Sequence, residues 1–175
     1  MHSTSFHIER ARPEDAAALL EYLKIIGGET ENLSFGPEGV PLDVSEEEAY
    51  LRTQWNSADY VQYLAKDGGT IIGAASLNRK PNRMRHRGVF GISLRRDWWG
   101  CGAAPALMEQ ILAFARENGF AQLDFEVRSD NVRAIRLYQK FGFRKLCTFP
   151  GFFRLHGQDV DFDLMLLSLP EAAGD

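Results

Sequence analysis

The residues of this chain whose types and spacing best suit chemistry are Gly100 and Gly102, which stand between two hydrophobic patterns. Before them, Ile92 and Leu94 alternate with polar residues, as in a half-buried strand. After them, apolar residues recur at helical spacing until Gly119, where a helix is expected to end. The first turn of a helix has backbone N–H groups without internal acceptors, and small residues let a phosphate approach them. The pattern predicts a pyrophosphate-binding turn; the alternative is an ordinary turn that needs glycine for its backbone angles.

The loop lacks both familiar nucleotide signatures. A Walker loop ends in Gly-Lys-Ser/Thr, whereas two alanines follow Gly102, and a dinucleotide fingerprint needs a third glycine and a later acidic residue. The segment WWGCGAA instead resembles the pyrophosphate loop of the GNAT superfamily of N-acetyltransferases, whose pattern is Gln/Arg-x-x-Gly-x-Gly/Ala. Trp99 departs from the first position of that pattern, and Pro105 removes one N–H that could have faced phosphate.

This resemblance implies that acetyl-CoA is the co-substrate and that no metal is needed. It assigns cofactor binding to the end of the strand, to the loop and to the start of the helix. These residues are Ile92, Ser93, Leu94, Trp99, Gly100, Cys101, Gly102, Ala103 and Ala104.

A second stretch, Leu123 to Phe143, resembles the closing motif of the same family, in which Asn, Ala, Leu-Tyr and Gly-Phe follow a strand. Asn131, Ala134 and Tyr138 stand three and four residues apart, so they share one stripe of a helix. Asn131 could offer its amide to the pantetheine arm of acetyl-CoA, small Ala134 would let the arm lie against the helix, and Tyr138 would reach the thioester. The alternatives are a helix N-cap for Asn131 and a core tyrosine with a wet hydroxyl for Tyr138.

Glu126 lies in the strand pattern twelve residues before Tyr138. This arrangement is similar to that of the ribosomal-protein alanine acetyltransferases of the family, and the closing motif is also similar to that of small-amine acetyltransferases. The resemblance implies Glu126 as the general base and Tyr138 as the acid. A solvated strand face is the other explanation for Glu126, and Glu29 and Glu31 are the next candidates for the base.

The acceptor cannot be identified from the motifs, since they bind the common donor. We expect it to be a small-molecule amine, such as an amino acid, a polyamine or a drug-like amine, or a protein N-terminus. Glu29, Glu31 and Asn32, in the segment after the first helix, are candidate acceptor-binding residues. Phe152 and Phe153, in a predicted hairpin loop over 150–158, either line the acceptor pocket or pack on the sheet edge or in a homodimer.

Two other functions stay open at this point. The first is a non-catalytic domain of the same fold that binds or senses acyl-CoA. The second is a nucleotide-binding α/β protein that uses Gly100 and Gly102 for ATP or NAD, although its distinguishing residues are missing.

Composition narrows the class of protein further. The net charge of −4 argues against nucleic acid as a partner. The two cysteines, Cys101 and Cys147, are not spaced as Cys-x-x-Cys, which argues against a disulfide framework or a zinc site. We find no signal peptide and no apolar run as long as a membrane span, so the cytoplasm is the expected compartment.

Hydrophobic periodicity predicts the order β-α-α-β-β-β-α-β-α-β-β, an α/β fold with a mixed central sheet and helices on both faces. We expect a single GNAT-like N-acetyltransferase domain over 1–175, with a frayed tail over 168–175. Four local predictions concern specific residues. They are a first helix stopped by Gly27-Gly28, a second helix capped by Ser45 with Glu48, a hairpin at Asp67-Gly68-Gly69, and a solvated basic loop over 79–87 that could alternatively guide phosphates or an acidic acceptor.

Overall fold

A computed structural model of the chain describes residues 5–170 and confirms the predicted order of strands and helices. Three short 3₁₀ helices separate some of the longer elements. The strands and helices are β1 (His7–Arg10), α1 (Ala16–Glu29), α2 (Val44–Gln54), β2 (Tyr60–Asp67), β3 (Thr70–Arg79), β4 (Arg87–Leu94), α3 (Ala103–Glu117), β5 (Gln122–Arg128), α4 (Val132–Lys140), β6 (Arg144–Leu155) and β7 (Gln158–Ser168).

The strands form one mixed sheet in the order β1-β2-β3-β4-β5-β7-β6, which confirms the predicted fold class. The pairs β1–β2, β2–β3, β5–β7 and β6–β7 are antiparallel, whereas β4 and β5 are parallel. The parallel pair is short, because its register covers only Arg87–Val89 against Gln122–Asp124. Both strands continue beyond these residues.

The described chain divides into two compact units. The first unit contains Gly91–Phe114 and the described residues up to Asn78, and the second contains Arg79–Phe90 and the described residues from Ala115 onward. The prediction of a single domain therefore stays a prediction.

The first unit has its core between the helices α1 and α2 and the strands β2 and β3. Aliphatic side chains and one tyrosine fill it, with Leu23, Leu33 and Phe35 packed against its margin. Its buried members are Ala11, Ala16, Leu19, Tyr22, Ile26, Leu51, Leu64, Ile71 and Ala74.

The second unit has an aromatic cluster formed by β4, β5, α4 and the residue before β6. Phe90, Phe125, Tyr138 and Phe143 are all buried, and their ring centroids lie 4.4 to 6.1 Å apart. Most of these pairs meet edge to face, the arrangement that aromatic rings prefer.

The prediction that Gly27-Gly28 would stop the first helix was wrong, since α1 continues to Glu29. Gly27 serves a different purpose, because the backbone of the following segment crosses it closely. A Cβ atom on Gly27 would lie 1.9 Å from the carbonyl oxygen of Gly36. The glycine therefore permits a close approach within the helix, and its helix-breaking tendency of about 1 kcal/mol is overridden by packing.

Two further boundaries differ from the predictions. The N-cap of α2 is Asp43, whose carboxylate accepts the N–H of Glu46 at 2.9 Å, while the Ser45 hydroxyl donates to Asp43. Asp43 and Glu46 form the same type of capping box two residues earlier than predicted, and aspartate is as good an N-cap as serine. The hairpin between β6 and β7 is also tighter than predicted, because only His156 and Gly157 connect the strands, both with positive φ.

The hairpin predicted at Asp67-Gly68-Gly69 is confirmed, since Asp67 pairs with Thr70 across it. The frayed tail predicted over 168–175 is wrong at its start. Ser168 ends β7, and buried Leu169 donates its N–H to Ala121 at 2.8 Å. Residues 171–175 lie outside the described part of the chain. No helix within residues 5–170 is long and apolar enough to span a membrane.

We predict that Gly27→Ala lowers the free energy of unfolding by roughly 1–3 kcal/mol, the usual range for overpacking. Gly28→Ala is the matched control, since its nearest neighbour would be Pro37 Cβ at 3.6 Å, an ordinary contact. The control should be neutral or more stable by up to about 1 kcal/mol, because alanine favours the helix. Urea unfolding measures both, and equal effects of the two substitutions would contradict the packing explanation.

Candidate active site

The loop between β4 and α3 ends in an open turn at Gly102. Gly100 and Gly102 have φ angles of 84° and 92°, in the left-handed region that favours glycine. The carbonyl of Gly102 accepts the N–H of Ala106 at 3.3 Å, which makes Gly102 the N-cap residue directly before α3. A Cβ atom on Gly102 would meet no described atom within 4 Å. The space beside Gly102 is therefore open at the end of the helix where backbone N–H groups can bind an anion.

The start of α3 is held in place because one face of the helix is buried in the core. Ala103, Leu107 and Ile111 have exposed fractions of 0% and lie three and four residues apart on one stripe. Ala104 is half-buried and Pro105 is exposed. Pro105 suits the first turn because its missing N–H would have no intrahelical acceptor there. The helix thus presents one end to a ligand while its side is held in the core.

Tryptophan Trp99 ties the loop to the strand that precedes it. Its indole Nε1 donates to the carbonyl oxygen of Leu94 at 3.0 Å, although 44% of the residue is exposed. The Arg96 guanidinium lies 5.9 Å from the indole ring centroid. The neighbouring Trp98 is buried and its carbonyl accepts the N–H of Cys101 at 3.3 Å. Trp99 can therefore position the loop in place of the Gln/Arg of the family pattern.

The C-terminal end of α1 holds the other side of this loop. The Glu29 carboxylate accepts the backbone N–H of Arg96 at 2.7 Å, and the Arg96 side chain donates to the Glu29 carbonyl. Arg95 Nε lies 3.5 Å from the same carboxylate. Glu29 was a candidate base, but these contacts engage its carboxylate in holding the loop.

The predicted cofactor residues of β4 are half-buried, and one of them contacts α1. The Ser93 hydroxyl lies 3.0 Å from the Tyr22 hydroxyl. Burial, before any other influence, raises the pKa of Tyr22, so the phenol stays protonated. Ile92 and Leu94 are the neighbours of Ser93 on β4. Because the β4–β5 register ends at Val89, backbone groups of β4 beyond it are not paired with β5 in the described structure.

Asn131 is the N-cap of α4, which is the alternative that the sequence analysis gave for this residue. Its side-chain oxygen accepts the N–H of Ala134 at 3.2 Å, and its carbonyl accepts the N–H of Ile135 at 3.0 Å. This leaves the amide NH₂ of Asn131 as a donor. Ala134 is half-buried one turn further along the helix.

Tyr138 lies in the aromatic cluster of the second unit with only 7% of its surface exposed. Its ring meets that of Phe125 edge to face at 4.4 Å. Burial raises the pKa of the Tyr138 phenol, and no described charge or hydrogen bond contributes to the shift. The hydroxyl is therefore a neutral donor that keeps its proton across the neutral pH range.

Glu126 is exposed on β5, between buried Phe125 and Val127. Its Cα partner across the sheet is Leu164 of β7. The side chain is open to solvent, which suits a base acting directly or through water as well as a solvated surface acid.

The neighbouring acid on β5, Asp124, was missed by the sequence analysis and explains much of the basic segment over 79–87. Asp124 is buried and its carboxylate oxygens lie 2.8 Å from Lys80 Nζ and 2.9 Å from Arg87 Nη2. Arg79 donates to the carbonyls of Arg85 and Asn118 and stacks on Phe120. Three of the basic residues therefore hold the second unit together, whereas the alternation on β5 suggested that Asp124 faces solvent.

The remaining candidates lie in irregular or edge positions. Asn32 donates its backbone N–H to the Thr30 hydroxyl, and Glu31 is exposed. Phe152 and Phe153 belong to β6 and not to a loop, which corrects the prediction of a loop over 150–158. Both rings pack against buried Phe162, at 4.9 and 4.2 Å, so packing on the sheet edge accounts for much of their surface. Among residues 5–170, no group of three or more His, Cys, Asp or Glu side chains is placed to hold a metal ion.

Comparison with known proteins identifies the family. The sequence model of the Acetyltransferase (GNAT) family matches residues 30–143, so the chain belongs to this family. The chain is similar to the N-alpha-acetyltransferase RimI of Mycobacterium tuberculosis, with 32% identity over 97 residues that cover 55% of this chain and 60% of that protein. The chain spans about half the length of the curated relatives that it matches.

Solved structures show the same fold. A GNAT-family acetyltransferase from Streptococcus pneumoniae has a TM-score of 0.91 at 28% identity, covering 94% of this chain and 100% of that chain. The protein yncA of Salmonella typhimurium, whose structure includes its cofactor acetyl-CoA, has a TM-score of 0.82 at 22% identity, covering 97% of this chain and 96% of that chain.

Proposed function

We propose that the chain is an acetyl-CoA-dependent N-acetyltransferase that acts on the primary amine of a small molecule or on a protein N-terminus. The observation that supports it best is the open turn at Gly102, directly before α3, where an added Cβ atom would meet no described atom within 4 Å and where a helix start offers N–H donors. Family membership supports the donor class, as does the acetyl-CoA in the similar yncA structure. When bound, acetyl-CoA supplies an activated acyl carbon.

In this proposal the pyrophosphate is bound by the loop from Trp99 to Gly102 and by the backbone of Ala103 and Ala104. The charge of the helix dipole adds to the N–H donors there. The backbone of Ile92, Ser93 and Leu94 on β4, which lies beyond the register with β5, is proposed to bind the acyl end, with an N–H of this strand as the donor to the thioester oxygen. The free amide donor of Asn131 and the small side chain of Ala134 are proposed to bind the pantetheine arm.

The remaining part of the proposed mechanism is proton transfer, from the acceptor amine and to the leaving thiolate. An alkyl amine has a pKa of about 10 and arrives protonated, so a base has to remove a proton before the nitrogen can attack. We propose exposed Glu126 for this step, directly or through water. Tyr138, which burial keeps protonated, is proposed to protonate the leaving thiolate. Most of the rate would come from holding two substrates in line.

The alternative function for a chain of this fold is to bind acyl-CoA without turnover. Incubation with acetyl-CoA and a panel of amines separates the two, because only the enzyme releases free thiol together with an equal amount of acetylated amine. For an enzyme, the amount of free thiol released should depend on which amine is supplied. Acetyl-CoA binding without any thiol release would favour the non-catalytic domain.

We also propose that residues 1–175 form a single domain. We propose the cytoplasm as its compartment, which the free thiols of Cys101 and Cys147 support. A homodimer stays a prediction.

We predict that Gly102→Ala weakens acetyl-CoA binding at least about tenfold, roughly 1.4 kcal/mol. The new methyl group would stand in the space through which the phosphate reaches the helix. Gly119→Ala is the matched control at the other end of α3, since it also has positive φ and no described atom within 4 Å of a Cβ. Both should lose about 1–2 kcal/mol of folding stability. Calorimetric titration that finds the same affinity for both variants would contradict pyrophosphate binding at Gly102.

We predict that Tyr138→Phe retains the fold and acetyl-CoA binding, because the ring and its contact with Phe125 remain. Turnover should fall by about 10²-fold or more, within the range for loss of one acid. The melting temperature and turnover per folded molecule are measured on the same preparation. Turnover within about twofold of the parent, a barrier change below roughly 0.5 kcal/mol, would remove Tyr138 from the mechanism.

We predict that Glu126→Gln lowers turnover and leaves acetyl-CoA affinity nearly unchanged. The remaining activity should recover at higher pH, where more of the amine is already neutral. Asp130→Asn provides a control, because Asp130 is another exposed acid of the same unit, paired with Arg128. Steady-state rates across pH measure the effect. Normal turnover at neutral pH would show that Glu126 is a solvated surface acid.

A further inference from the structure

One face of the sheet in the second unit contains the proposed base, Glu126. This residue pairs with Leu164 of β7, and Leu164 pairs with Cys147 of β6, so the three side chains project from the same face. The helix α4 packs on the other face, where its Tyr138 meets Phe125. Glu126 and Cys147 are exposed and Leu164 is half-buried. The three residues therefore form an accessible row across β5, β7 and β6.

Four phenylalanine side chains lie beside this row. Phe162 is two residues before Leu164 on β7, so both side chains project from the same face, and Phe162 pairs with Phe149 of β6. The rings of Phe152 and Phe153 pack on Phe162, with centroids 4.9 and 4.2 Å away. Phe149 and Phe152 meet edge to face at 5.5 Å. We call these four phenylalanines the aromatic wall.

The aromatic wall is buried on one side and exposed on the other. Phe162 is only 2% exposed, whereas Phe149 and Phe152 are 49% and 39% exposed. Adjacent large apolar side chains that remain this exposed indicate a binding surface. Phe162 is also a diagonal neighbour of Glu126 across the β5–β7 pair. Such neighbours lie about 7–8 Å apart, within reach of an aromatic side chain. The wall is therefore continuous with the row that contains the proposed base.

Polar groups that border the wall are already engaged. Arg128 pairs with Phe162 across the strands, and its guanidinium is held by the carboxylate of Asp130 at 2.8 Å. The Asp161 carboxylate of β7 accepts the N–H of Gly151 at 2.9 Å. The exposed side of the wall thus offers contact to an apolar group, and the charge on this surface that the proposed mechanism uses is that of the base.

Resting on the proposed N-acetyltransferase function, we propose that the aromatic wall binds an aromatic ring of the acceptor while Glu126 takes the proton from its amine. The spacing between Glu126 and Phe162 suits a primary amine whose ring is separated from the nitrogen by two carbons. Rings in edge-to-face contact gain energy beyond the area that they bury. The acceptor class is therefore an arylalkylamine, either a free small molecule or the first residue of a peptide with an aromatic side chain.

The test measures kcat/KM for two pairs of acceptors that differ only in the ring. Phenethylamine is compared with ethylamine, and L-phenylalaninamide is compared with L-alaninamide. The parent protein should prefer the acceptor with the ring by about 10- to 100-fold, the range for burying one aromatic side chain. A preference in either pair supports the site, and the pair with the higher kcat/KM shows whether the ring belongs to a free amine or to a peptide N-terminus.

Variants of the wall test which ring is responsible. Phe149→Ala should reduce the preference for phenethylamine by at least about fivefold, through a higher KM at nearly constant kcat, and should leave ethylamine unaffected. Phe149→Tyr retains a ring and should retain the preference. Leu146→Ala is the matched control, because Leu146 is 44% exposed on the same strand and does not belong to the wall. This control should keep the preference of the parent.

A second measurement does not depend on turnover, because it follows the exposed thiol of Cys147, two residues before Phe149 on the same face. All samples contain S-ethyl-CoA, a thioether that cannot transfer an acetyl group. Phenethylamine near saturation should slow alkylation of Cys147 by N-ethylmaleimide at least about threefold, whereas ethylamine should not. Mass spectrometry of peptides measures the modification, and Cys101 is the internal reference, whose rate should be the same with either amine.

The possible failures are distinct. Equal kcat/KM within both pairs of acceptors would overturn the aromatic site while supporting the N-acetyltransferase function. An equal loss of kcat for phenethylamine and ethylamine in Phe149→Ala, together with a lower melting temperature, would indicate a structural role for this ring and also overturn the site. Protection of Cys147 by phenethylamine alone, without acetyl transfer to any amine, would support the site and contradict the N-acetyltransferase function.

Discussion

The start of α3 is held by its buried face, while the space beside Gly102 stays open. Helix starts normally satisfy their first backbone N–H groups with a capping side chain, as Asp43 does for α2 and Asn131 does for α4. Gly102 has no side chain to do so, and its backbone angle suits glycine. The rigidity comes instead from the buried stripe that begins at Ala103 and from the contacts of Trp99 and Glu29 with the loop. In the proposed function, the pyrophosphate of acetyl-CoA takes the place of a capping side chain.

Two buried acids of the second unit have compensating partners. Asp124 lies beside two cations, and Asp163 accepts hydrogen bonds from two hydroxyl groups and lies beside Lys145. Their burial therefore helps to fix the second unit.

Much of the fold could be predicted from the sequence, because local pattern and tertiary packing agree. Alternation at Ile92 and Leu94, the glycines of the loop and the apolar stripe of α3 each indicate the element that the structure contains. The N-cap alternative for Asn131 is confirmed for the same reason, since capping is a local interaction, whereas its cofactor-binding role stays a prediction. The family followed from the combination of these motifs and is confirmed by the match to residues 30–143.

The features that the sequence analysis did not predict have a different cause, because each of them depends on contacts between residues far apart in sequence. Gly27 has the composition of a helix stop, but the crossing of Gly36 explains it. The partners of Asp124, Lys80 and Arg87, belong to the basic segment over 79–87, about forty residues before β5, so the strand pattern of β5 does not show that this acid is buried and paired.

The most direct test of pyrophosphate binding at α3 compares three donors by calorimetric titration of the unmodified chain. Acetyl-CoA and its 3′-dephospho form both contain the pyrophosphate, whereas S-acetylpantetheine lacks it. If the first turn of α3 binds the pyrophosphate, the dephospho form should bind within about tenfold of acetyl-CoA, and S-acetylpantetheine at least about 100-fold more weakly. Equal affinity for S-acetylpantetheine and acetyl-CoA would contradict the assignment of this helix start to the cofactor.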